Sequence, residues 1–283
     1  MFSKQRRIEV RFQKRAERQL LQRCRGDEHP FLPLYTPAQI AAQRSRAQVH
    51  IMPFFLNEPS PVVLCCPGGA YAGVSWINEG YDIAQALNAR GFSVLLLGYR
   101  TGKAAETPNA PKDVAAAMQW LQVHAAQYAL DMDRCFVCGF SAGGHLAAYY
   151  AATAAKNGWI VPKGVILGYP VISMETDTHL RSRHFFLGKA ERDIAAQKAA
   201  SVEQIADETM PPVFTFHCED DTGVLPSNSL RLAARLKDVG VDCVCKLYPT
   251  GGHGVGIGTN SSADGWIDEA VRFMRAQESK MAR

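Results

Sequence analysis

Seven short apolar runs alternate with stretches of helical period along this chain, and that rhythm restricts the fold more than any other feature. The runs at 49–55, 61–66, 93–99, 134–139, 164–171, 212–218 and 243–248 are rich in β-branched and aromatic residues and bordered by Pro or Gly, as strands are. Between them, 79–90, 111–130, 142–155, 226–239 and 262–277 repeat apolar residues at helical spacing, with Gly91 and Gly240 where helix stops belong. Strands that alternate with helices form a mostly parallel sheet covered on both faces. At 283 residues and 47% hydrophobic, the chain can bury such a sheet as one α/β domain. Ligands of these sheets bind at loops beyond the carboxyl ends of the strands. The segment 173–210 breaks the rhythm. It is polar, holds His179, His184, Phe185 and Phe186, and reads as a small helical cap inserted over those loops. The expected organisation is a basic arm over 1–33 and an α/β domain over 34–283, with the cap at about 173–210.

The formal net charge of +4 is unevenly spread. Residues 1–25 hold nine Lys/Arg against Glu9 and Glu17, which leaves 22 basic and 25 acidic residues elsewhere. A mildly acidic body argues against nucleic acid as a partner. In the arm, Ile8, Phe12, Ala16, Leu20 and Cys24 suit one helical stripe, whereas Ile8, Val10 and Phe12 alternate as in a strand. The arm is expected to pack on its own domain or on a partner subunit, which leaves a homo-oligomer open, rather than to bind RNA or a membrane. No apolar run there is long enough for a secretory signal and none spans a bilayer, so the expected location is the cytoplasm. Eight cysteines lying mostly in strand-like runs read as buried free thiols. Cys135 and Cys138 have half the spacing of a zinc site, but on a strand they point to opposite faces.

The run 134–139 ends in Gly139-Phe140-Ser141-Ala142-Gly143, where a strand gives way to a helix. A turn that tight crowds the positions two before and two after the serine, so both must be glycine. It also sets the Ala142 N–H at a helix N-terminus, where an anion is favoured. A serine hydroxyl is a weak nucleophile without a base, and the base needs an orienting partner. Two later strands end in His217-Cys218-Glu219-Asp220-Asp221 and in Gly251-Gly252-His253-Gly254. An early strand runs into Pro67-Gly68-Gly69-Ala70-Tyr71, whose small residues let backbone amides approach a substrate oxygen. Each piece alone is weak, but four fitting loops at four strand ends make a strong set. His145, inside the helix after Ser141, reads as a packing or hydrogen-bonding residue, and His217 as one that shapes its loop.

With these segments the chain resembles the α/β-hydrolase fold, and within it the bacterial acetyl esterase and acetylxylan-esterase-like branch of the esterase/lipase group. The resemblance runs from about Leu34 to the C-terminus on "CPGGAYAGVS", "NEGYDIAQALNARGFSVLLLGYR", "GFSAGGHLAA", "HCEDDTGVLPSNSL" and "GGHGVGIG". It implies a serine carboxylesterase acting on short acyl, chiefly acetyl, esters of a carbohydrate or related alcohol, with no metal or organic cofactor. Carried onto this sequence, Ser141 is the nucleophile, His253 the base and Asp221 its orienting acid. Ala142 with Gly69 or Ala70 forms the oxyanion hole; Ala70 stands where the family has a third glycine. Tyr71, Trp76, Phe185 and Phe186 lie on segments expected to close over the acyl group. A peptidase or lipase of the same fold is a second reading, and a catalytically silent binding protein with the arm as its contact surface a third.

Overall fold

The computed structural model describes residues 31–279; the arm before Phe31, including Cys24, lies outside the described residues. Eight strands form one sheet: β1 (Leu32–Pro33), β2 (His50–Phe54), β3 (Ser60–Cys66), β4 (Ser93–Gly98), β5 (Leu130–Phe140), β6 (Gly164–Gly168), β7 (Val213–Cys218) and β8 (Cys243–Tyr248). Their order is β1-β2-β4-β3-β5-β6-β7-β8. β1 pairs antiparallel with β2, and β2 with β4; the other pairs are parallel. Residues 32 and 33, read from the sequence as the end of the arm, therefore add to the sheet edge. Phe31 packs there against Trp76, with ring centroids 4.7 Å apart.

The side chains of each central strand alternate between two cores. Val62, Leu64 and Cys66 enter one and Val63 and Cys65 the other, so both faces are apolar and the strand reads as a continuous hydrophobic run. Cys135 and Cys138 separate in the same way. The first core lies under α3 (Asn109–His124), α4 (Ser141–Ala154) and α8 (Ser227–Asp238); α1 (Pro37–Ala42) and α2 (Asp82–Asn88) precede these in the chain. The second lies under α2 and α9 (Trp266–Ser279). Between β6 and β7 the chain folds into α5 (Leu180–Leu187), α6 (Ile194–Ala200) and α7 (Val202–Ile205). This inserted segment is tied down by the Thr107 N–H donating to Phe186 O (2.8 Å) and the Val202 N–H to Ile172 O (3.0 Å).

Several boundaries differ from those read in the sequence, three of them for a visible reason. α3 stops at His124, and Ala129, with φ +52°, reverses the chain so that β5 begins at Leu130 instead of 134. β6 stops at Gly168, because Tyr169 takes φ +37° and bends the chain out of the sheet. The helix expected from 79 starts as a π-turn at Ile77–Tyr81 and continues as α2. Among the described residues, no helix is long and apolar enough to cross a membrane.

Beyond β4, Arg100 is buried against Asp113 of α3. Its Nε lies 2.9 and 3.0 Å from the two carboxylate oxygens and its Nη2 2.7 Å from Oδ1, while the Arg100 N–H donates to Oδ2 at 3.0 Å. The Tyr35 hydroxyl donates to the same carboxylate at 2.7 Å. Removing one member of such a pair strands the other charge in the core, at a cost of about 3–5 kcal/mol. Asp113→Ala should lose roughly that much stability in urea unfolding; a loss below about 1 kcal/mol, the level of an exposed pair, would contradict this account.

Candidate active site

Four strand ends supply the site. β5 ends at Phe140, and Ser141 opens α4 with φ +52°, a backbone that costs a non-glycine residue about 1–2 kcal/mol. The turn closes only because its neighbours lack side chains. A Cβ on Gly139 would collide with the Gly143 carbonyl, and one on Gly143 with the Cys66 carbonyl. Ala142 lies in the first turn of α4, whose amides and dipole favour negative charge.

β3 leads into Gly68, Gly69 and Ala70. The Ala72 and Gly73 amides donate to the Gly69 carbonyl at 2.9 and 3.2 Å, and the Ser75 amide to Gly68 O at 2.9 Å. Ala70 sits at φ +57°, the left-handed region that a glycine enters freely and an alanine occupies at about 1 kcal/mol or more. Among the described residues, neither the Gly69 nor the Ala70 amide has a backbone acceptor. A Cβ on Gly68 would stand 2.9 Å from Ser141 Cβ, so this loop lies directly on the serine.

The loop after β8 brings His253 Nε2 to 2.9 Å from Ser141 Oγ. The loop after β7 brings Asp221 Oδ2 to 2.7 Å from His253 Nδ1. Asp221 is buried, and its Oδ1 accepts the Gly223 and Val224 amides at 2.8 and 2.9 Å. Burial opposes its charge, but hydrogen bonds from His217, His253 and the Val224 amide win and hold the carboxyl well below the usual range. His217 shapes this loop, with Nε2 2.8 Å from Val224 O and Nδ1 2.9 Å from Ser229 Oγ. Asp220 turns the other way and holds the backbone of the histidine loop, accepting the Gly252 and Gly251 amides at 2.7 and 3.1 Å. An ionised Asp221 keeps a proton on Nδ1, which leaves Nε2 free to take the serine proton.

Of the four residues expected in the acyl pocket, three have no surface for a ligand. Tyr71 and Phe186 are wholly buried, with ring centroids 5.2 Å apart, and Trp76 is 2% exposed. Phe186 lies on the buried face of α5, and Trp76 fills the space that Gly98 leaves on β4. Phe185 is half-buried beside Arg181, whose guanidinium lies 6.0 Å from the ring centre. Tyr71 acts through His145 instead. The buried imidazole has Nδ1 2.8 Å from Tyr71 Oη and Nε2 2.8 Å from Ala200 O. A carbonyl only accepts, so Nε2 carries the proton and Nδ1 accepts from the tyrosine. The sequence did not single out Glu79, Asn78 or Tyr169, which adjoin the serine and histidine loops. An acidic residue at a helix start reads as ordinary dipole pairing, which hides a buried carboxylate.

The BD-FAE family model matches residues 51–236. The chain is 29% identical over 232 residues to endo-1,4-beta-xylanase B of Butyrivibrio fibrisolvens, covering 78% of this chain and 36% of that protein. It is 28% identical over 208 residues to an acetylxylan esterase of Xylanibacter ruminicola, covering 72% and 42%. The chain thus spans under half the length of these curated relatives. Among solved structures, an acetyl ester-xyloside bifunctional hydrolase from Caldicellulosiruptor lactoaceticus is similar with a TM-score of 0.77 and 27% identity, over 88% of this chain and 96% of that one.

Burial pushes the His145 imidazole down to about 4, so it is neutral in the fold at pH 7. The unfolded chain, with a histidine near 6.5, takes up its proton first as the pH falls. Stability from neutral His145 is therefore complete above about pH 6.5 and is lost between about 6.5 and 4, on the order of 3 kcal/mol in all. His145→Gln should remove that part of the acid sensitivity, read as denaturant midpoints at pH 7.5 and 4.5. The same pH dependence in both proteins would contradict it.

Proposed function

The chain belongs to the BD-FAE family and has the α/β-hydrolase fold, and on that premise we propose that it is a serine carboxylesterase working through Ser141, His253 and Asp221. The observation that carries this reading is the continuous hydrogen-bond chain from Ser141 Oγ through His253 to Asp221, at 2.9 and 2.7 Å. His253 takes the serine proton as Oγ attacks the ester carbonyl, and returns it to the departing alcohol. Asp221 stabilises the imidazolium between these steps. The developing oxyanion is met by the Ala142 amide together with that of Gly69 or Ala70. Water then attacks the acyl-enzyme by the same route.

The substrate class is proposed from the relatives. An acetylxylan esterase and an acetyl ester-xyloside hydrolase are among them, which supports acetyl esters of a carbohydrate. For such an acetyl esterase, kcat/KM for p-nitrophenyl acetate should exceed that for octanoate by roughly tenfold or more, within the discrimination that a difference of several methylenes allows. Acetate should also be released from acetylated xylo-oligosaccharides. A steady rise in kcat/KM with chain length would favour a lipase.

Ser141→Ala should fold and show p-nitrophenyl acetate turnover near background; wild-type kcat in that variant would end the mechanism. Asp221→Asn keeps the shape but favours the wrong imidazole tautomer, a change that costs about 10⁴-fold in the serine-protease precedent. Asp220→Asn loses charge only from a group that holds backbone amides, so it should fall far less. The reverse ranking would move the orienting acid to Asp220.

A further inference from the structure

Glu79 is a carboxylate buried to 4% exposure beside a site that does not use it for proton transfer. Burying such a group costs several kcal/mol unless partners compensate, so its partners show what it is for. Its Oε2 accepts the Gly68 amide at 3.0 Å, in the loop that continues into Gly69 and Ala70. The Ser75 and Tyr169 side chains stand beside it as well. The contact with the loop is close, since a Cβ on Gly68 would lie 2.6 Å from Oε2.

Tyr169 continues the link. Its hydroxyl stands beside Glu79 and accepts the Gly256 amide at 3.1 Å, three residues past His253. Its ring lies 5.1 Å from the His253 imidazole, at an interplanar angle of 72°. Tyr169 holds this place with φ +37°, a conformation that costs a bulky residue of order 1–3 kcal/mol and clusters at functional sites. The π-turn at Ile77–Tyr81 adds a second tie, the Asn78 side-chain amide donating to Gly254 O at 2.7 Å. A π-turn places an extra residue in the coil, which lets Asn78 and its neighbour Glu79 serve different loops.

We propose that Glu79 is a positioning residue of the esterase reaction: together with Asn78 and Tyr169 it holds the Gly68–Ala70 loop in register with the His253 loop. The inference rests on the serine esterase reading. Besides Ser141 and Asp221, the groups that act on His253 are Glu79 and Tyr169, and His179 from the segment before α5. Around Glu79 itself stand Cys65, Tyr99, Tyr169 and His253. Burial pushes the Glu79 carboxyl up, while Tyr169, His253, the Gly68 amide and Ser75 all favour its ionised form.

Glu79→Ala removes the acceptor of the Gly68 amide, and Glu79→Gln keeps one. kcat at neutral pH should fall roughly ten- to hundredfold in Glu79→Ala, the penalty of misplaced catalytic groups, with KM within about twofold, and Glu79→Gln should recover most of it. Tyr169→Phe, which removes the hydroxyl that accepts the Gly256 amide, should lower kcat in the same range. Hydrogen–deuterium exchange in Glu79→Ala should quicken in peptides over both 68–70 and 253–256. Unchanged kcat in Glu79→Ala or Tyr169→Phe, or exchange that quickens at 68–70 alone, would overturn the proposal. Exchange needs no turnover, so a wild type inactive on every ester would count against the esterase reading alone.

Discussion

The close approach of backbone segments around residues 68, 139 and 143 is the constraint on which the site depends. The Cβ direction of Gly143 is occupied by the Cys66 and Pro67 carbonyls, and that of Gly68 by the Phe140 carbonyl at 2.7 Å. Any side chain at these positions would push β3 and its loop away from the start of α4. The serine, the helix N-terminus and the Gly68–Ala70 loop are thus set by one contact, made possible by missing atoms. Ser141 is held in a left-handed conformation because a fully buried sheet and helix fix both of its flanks.

Around that frame, charge is distributed unequally. Asp221 is buried but over-satisfied, with four hydrogen-bonding neighbours that keep it ionised. Asp220, adjacent in sequence, is at the surface and ties down Gly251 and Gly252. Two successive carboxylates therefore act on the histidine loop at different levels, one on the ring and one on the backbone. On the far side of Ser141, His145 is a neutral link between Tyr71 and Ala200, which joins the Gly68–Ala70 loop to the inserted helices.

Much of this was legible in the sequence, for identifiable reasons. The central strands are buried on both faces, so they stand out as continuous apolar runs, and seven strands were found within a few residues. The serine turn was legible because its glycines answer to a steric demand; His253 and Asp221 lie a few residues past the ends of β8 and β7, and the choice of Asp221 among its acidic neighbours came from the family resemblance. What failed was side-chain direction. Trp76, Tyr71 and Phe186 are aromatic residues near the site in sequence, but helix and turn geometry rotates each into the core. Glu79 was invisible for the opposite reason, since a carboxylate early in an amphipathic stretch looks like a solvated group. Its burial depends on Gly68 and Tyr169, which are 11 and 90 residues away in the chain.

The central proposal is that Ser141 is the activated hydroxyl of the site. Peptide mapping after inactivation with diethyl p-nitrophenyl phosphate tests it directly, because the reagent transfers a phosphoryl group only to a nucleophile with a general base and an oxyanion site beside it. The account predicts one diethylphosphoryl adduct per chain, on Ser141, in step with the loss of esterase turnover. An adduct elsewhere while Ser141 stays free, or full turnover from a chain modified at Ser141, would contradict it.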